Sequence, residues 1–175
     1  TLMCPLGSTL VWAHDADYSD YSKKIEVPAG AWLRRIVMLV QDATATTPIR
    51  KNDEVTGVKL ELPKAANKEI GAWTWQALLA ETAKIYGKYG SSQREAAIGP
   101  SASSRPGFGA TPFIPHGLAI IDLRKYFNPI LGMDLTKYQT GDVKLGLTVE
   151  NYTAGDDTLI YWDQLQPVEA QYVGK

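Results

Sequence analysis

Apolar and polar residues alternate with period two in several short stretches of this 175-residue chain, the pattern of strands that bury one face. In 58–62, Val58, Leu60 and Leu62 fall on one side and Lys59 and Glu61 on the other. The same alternation runs through Val143, Leu145, Leu147 and Val149 in 143–150. It recurs more briefly in 24–27, after which Pro28-Ala29-Gly30 turns the chain. Residues 32–40 are almost continuously apolar, which predicts a central strand covered on both faces. Segments 117–123 and 158–165 read as further strands, and 10–13 as the first.

One segment changes period. Between 74 and 89, Trp75, Leu78, Leu79, Thr82, Ile85, Tyr86 and Tyr89 recur at helical spacing, with Ala77, Ala80 and Ala83 raising helix propensity. Thr74 is the expected N-cap, and Gly87 or Gly90 the stop. Short strands joined by long connections, with one embedded amphipathic helix, predict an all-β fold: a single jelly roll or β-sandwich. The long connections are 42–53 and 90–115, the second rich in Pro, Ser and Gly. Loops of that length point to function or to contact with a neighbour. The expected organisation is an N-terminal arm over 1–7 and one domain over 8–175.

Composition narrows the function classes. With 45% hydrophobic and 21% charged residues the chain has enough apolar surface for one packed core. A formal net charge of -1 argues against a nucleic-acid binder, which needs a basic field. Self-repulsion is weak at that charge, so many copies can pack closely. The lone Cys4 forms no internal disulfide. No basic-then-apolar leader opens 1–12, and no apolar run approaches the ~18 residues of a membrane helix.

Candidate chemistry is sparse. Zinc, phosphate-loop, dinucleotide and nucleophile-elbow motifs are all missing from the sequence, so no cofactor and no catalytic residue is expected. In the acidic stretch 14–20, Asp15, Asp17 and Ser19 have the alternating oxygens of a calcium loop, with Glu26 as the distal carboxylate. Asp20 stands where that loop wants glycine, so Asp15 and Asp17 are weak metal candidates beside the plainer reading of a solvated loop. Trp73, Tyr18 and Tyr21 could stack sugar rings, whereas Trp75 and Trp162 fit a core. Asp156-Asp157 and Asp53-Glu54 read as solvated turn acids. Arg34-Arg35 lies inside the most apolar strand, where a charge needs a partner. A structural ion pair or a subunit contact is the expectation.

The order of elements carries a resemblance. Pro28-Ala29-Gly30 leads into the apolar strand 32–40, then come the helix and the long Pro/Ser/Gly loop. Gly117-Leu118-Ala119-Ile120-Ile121-Asp122-Leu123 follows, then Met133-Asp134-Leu135, strand 143–150 and Asp157-Thr158-Leu159-Ile160-Tyr161-Trp162-Asp163. This resembles the jelly-roll major capsid proteins of tailless icosahedral viruses with an internal membrane. The smaller, single-roll capsid protein of phages of thermophilic bacteria is the member most similar in size. Many relatives fuse two rolls, and this chain has room for one.

The resemblance implies a coat protein found in the virion and made in the host cytoplasm. It implies assembly with copies of itself, as a dimer or larger, and with a second, larger capsid protein, near a viral membrane. It supplies no catalytic motif to carry over. From the residues themselves, Ile49, Phe108, Phe113 and Ile114 in the long loops, with Arg34 and Arg35, are the candidate subunit contacts. Each apolar loop residue could equally pin its loop to the chain's own core. The alternative function is a carbohydrate- or ligand-binding β-sandwich module.

Overall fold

A computed structural model describes residues 2–44, 49–62, 68–86 and 117–168. The elements in chain order are β1 (Leu2–Ala13), β2 (Tyr18–Glu26), β3 (Trp32–Asp42), β4 (Ile49–Arg50), β5 (Val55–Leu62) and β6 (Lys68–Thr74). Then follow α1 (Trp75–Tyr86), β7 (Leu118–Asp122), β8 (Met133–Asp134), β9 (Lys144–Val149) and β10 (Asp156–Val168). They form two antiparallel sheets. One runs β1-β10-β3, with β4, β7 and β8 along the far edge of β3; the other runs β2-β9-β5-β6. First strand pairs with last, β2 with β9, β3 with β7 and β5 with β6. That nested pairing across two sheets is a jelly roll.

Alternation decides which side chains meet between the sheets. In the first sheet the inward rows are Ser8-Trp162-Ile36-Ile121 and Leu10-Ile160-Met38-Ala119. Ile36, Met38, Ala119 and Ile160 are fully buried. They meet Val58, Leu60, Leu145 and Leu147 of the second sheet in one core. The helix closes the side of the sandwich between β6 and β7. Its Trp75, Leu78 and Leu79 enter the same core, and Thr82 Oγ1 accepts the free-edge N–H of Ile120 at 2.9 Å. Thr74 caps it as expected, its Oγ1 accepting the Ala77 N–H at 3.3 Å.

Two expectations are revised, and one extends beyond the described residues. The helix ends its described span at Tyr86, and 87–89 lie outside the described residues. Residues 2–7, expected as an arm, form the first half of β1, with Leu2 to Gly7 in register against Val168 to Asp163. Pro5 fits there because β1 is an edge strand with a ladder on one side only. Gly7 fits because Tyr161 lies on its backbone, the hydroxyl oxygen 2.2 Å and the ring 2.8 Å from where a Cβ would stand. The second revision adds β6, which the pattern did not predict because Gly71 interrupts its alternation.

Candidate assembly surface

The connections gather at two ends. Those after β1, before β5 and before β10 meet at one end, where His14 N–H donates to Asp156 O (3.0 Å), Ala43 N–H to Gly155 O (3.0 Å) and Tyr152 N–H to Asp17 (2.8 Å). Those after β2 and around β8 meet at the other, through Gly30 N–H to Leu135 O and Val27 N–H to Val143 O, both 3.0 Å.

A buried polar cluster ties the first end together. His14 Nδ1 is hydrogen-bonded to Glu54 Oε1, and Nε2 to Thr158 Oγ1 at 3.0 Å. Lys51 Nζ lies 2.6 Å from both carboxylate oxygens of Asp156. Burial pushes the carboxyl pKa of Glu54 upward despite the His14 hydrogen bond, and burial likewise raises that of Asp157. Glu54 and Asp156, read from sequence as turn acids, are thus interior groups joining three connections, while Asp157 is buried on the opposite face of β10 beside Gln41.

Asp15 is occupied within its own turn. It accepts from Lys23 Nζ at 2.5 Å and from the Tyr18 hydroxyl, and these hydrogen bonds hold its carboxyl below the usual carboxylate range. Asp17 accepts the Tyr152 N–H. Among the described residues no group of three His, Cys, Asp or Glu side chains is placed to hold a metal ion. Tyr18 is buried beside Trp12. Trp73 packs against the core, its ring 6.0 Å from that of Tyr126. Neither ring is an open stacking platform.

Arg34 and Arg35 do find one carboxylate. In the β3–β10 ladder Asp163 faces Arg35 and Gln164 faces Leu33, so Arg34 is the extra residue of a bulge. The bulge lets two neighbours in sequence point the same way: Arg34 Nη2 lies 2.7 Å from Asp163 Oδ1 and Arg35 Nε 2.5 Å from Oδ2. Beside them Arg124 reaches Asp122 at 2.5 Å. Of the apolar loop candidates, Ile49 sits in β4 opposite Asp42, while Phe108, Phe113 and Ile114 lie outside the described residues.

The outward faces of the two sheets differ in kind. On the second sheet the outer rows are Lys24-Gly146-Lys59-Ala72 and Glu26-Lys144-Glu61-Glu69, an ordinary solvated surface. On the first sheet they are Val11-Leu159-Leu39-Leu118 and Thr9-Tyr161-Val37-Ile120. Polar rows bound this patch at both ends, Ala13-Asp157-Gln41-Arg50 and Gly7-Asp163-Arg35-Asp122. Val11 is 57% exposed and Tyr161 44%. The apolar character of 32–40 predicted cover on both faces; the core covers one, and the other is this patch. Sequence reasoning named none of its apolar residues as contacts, only Arg35 in a bounding row, although the unbroken apolar run in β3 was the signal. A smaller exposed group, Tyr126, Phe127 and Ile130, occupies the turn after β7.

No protein-family model and no curated protein sequence matches the chain. Solved structures do. The fold is similar to the crystal structure of the STIV major capsid protein, with TM-score 0.62 and 19% identity over 94% of this chain and 42% of that one. It is also similar to a chain in the atomic structure of Sulfolobus Turreted Icosahedral Virus, with TM-score 0.64 and 19% identity over 94% of this chain and 39% of the other. This chain therefore spans about two fifths of the length of either neighbour. At that identity the likeness is one of fold alone, the jelly roll.

Proposed function

We propose that this chain is a non-catalytic coat protein, one roll of an icosahedral viral shell. The observation that carries this reading is the similarity to the STIV major capsid protein over 94% of the chain, which takes in both sheets and the helix between β6 and β7. The apolar outer face supports it, because such a face suits a subunit whose neighbours complete its burial. In this reading it assembles with copies of itself and with a larger capsid protein, in keeping with the resemblance to the small capsid protein of phages of thermophilic bacteria. Its place is the virion, over an internal membrane, after synthesis in the host cytoplasm. The glycan-binding alternative loses support, since Trp73 and Tyr18 pack inward.

The test is the protein content of virus particles purified from the host that carries this gene. Expected is the chain among the most abundant particle proteins, in fixed ratio to a larger one. Absence from intact particles overturns the reading.

A further inference from the structure

We infer that the outer face of the β1-β10-β3-β7 sheet is the surface on which two copies of this chain pair, around a two-fold axis running along the strands between β10 and β3. The inference rests on the coat-protein reading for its orientation. In a closed shell every subunit points the same end outward, and a two-fold axis along the strands preserves that, whereas an axis across them inverts one copy.

Register supplies the rest. Turning the sheet about that axis lays β10 on β3 of the second copy and β1 on β7. Leu159 then meets Leu39, Tyr161 meets Val37, and Val11 meets Leu118, so each apolar row faces itself. In the bounding row Asp163 of each copy comes over Arg35 of the other. Because Asp163 already neutralises guanidinium charge within its own copy, stacking this row brings opposite charges together rather than like ones. A foreign partner would have to reproduce both features; a second copy does so by symmetry.

Size sets the strength. Four strands about 4.8 Å apart and four rows about 7 Å apart cover roughly 500 Å² per copy. That is about 1,000 Å² for the pair, below the about 1,200–2,000 Å² that stable specific interfaces bury in total and in the range of weak, transient ones. The expected dimer is therefore reversible and concentration-dependent, with the shell supplying the remaining contacts.

Light scattering after size exclusion, over a wide concentration range, tests this. Wild type is expected to pass from monomer to dimer. Val11→Glu and Tyr161→Glu, both at exposed positions, should each weaken the dimer at least tenfold. Ala72→Glu, on the charged face beside Lys59, should leave it unchanged. As a readout independent of those substitutions, Thr9→Cys in a Cys4→Ser background should react with a maleimide more slowly as protein concentration rises. A monomer throughout, with a constant labelling rate, overturns the pairing. So does a dimer that Val11→Glu and Tyr161→Glu leave intact, since the contact then lies elsewhere. In either case particle composition still decides the coat-protein reading by itself.

Discussion

His14 and Glu54 are hydrogen-bonded inside the roll with neither side chain open to solvent, the side chains being 0% and 1% exposed. The imidazole follows the end of β1 and the carboxylate precedes β5, so this contact staples two connections that belong to different sheets. His14→Ala leaves a buried carboxylate without its ring partner. Removing one member of such a pair costs about 3 kcal/mol, to be read from urea unfolding at pH 7. A loss under about 1 kcal/mol would mean that the loops hold one another without it.

Asp157 should make stability fall as pH rises. Burial raises its folded-state pKa above the ordinary 3.8, so the folded protein holds a proton that the unfolded chain has released. The stability this contributes is fully present below pH 3.8 and is lost as pH rises through the raised folded value. Asp157→Asn cannot ionise. The variant should match wild type below pH 3.8 and exceed it at pH 7, measured as the difference between denaturation midpoints. Equal midpoints at both pH values would remove the carboxylate from the account.

The strands were legible where one face is buried and the other wet. Val58, Leu60 and Leu62 announce β5, and Val143 to Val149 announce β9, because alternation is a local property of sequence. The helix was legible for the same reason, its stripe and its Thr74 cap both lying within 16 residues of chain. β6 was not, since Gly71 removes a side chain where Trp73 folds back over the backbone. The site was harder still. Asp163 lies 129 positions from Arg34, and no local rule supplies a partner at that distance. The unbroken run in β3 signalled burial of both faces but could not say that one is left for a neighbour.

Asp163 concentrates the cost of the bulge in one side chain. It is 8% exposed and pairs with two guanidiniums that are 25% and 30% exposed. Asp163→Ala leaves both cations without that carboxylate beside an apolar sheet, and should cost about 3 kcal/mol. Arg34→Ala and Arg35→Ala should each cost less, since Asp163 keeps one partner. In the Asp163→Ala background, adding Arg35→Ala should cost almost nothing further. A double-mutant cycle by urea unfolding measures this coupling, and simple additivity would show that the three groups act separately.

Gly132 marks where the turn after β7 docks on the bulged strand. Its backbone has φ +82°, and a Cβ there would stand 2.3 Å from the Leu33 carbonyl oxygen and 2.7 Å from Arg34 Cα. Both obstacles are backbone, so neither can swing aside. Two penalties therefore act together, a left-handed conformation that alanine resists and a clash that moves the turn off β3. Gly132→Ala should destabilise by more than about 2 kcal/mol. At Gly30, also at positive φ (+83°) but with nothing within 4 Å, alanine meets the conformational penalty alone and should cost about 1 kcal/mol. Thermal unfolding of the two variants separates the terms: equal losses would mean that conformation alone matters at Gly132, and that the turn does not press on β3.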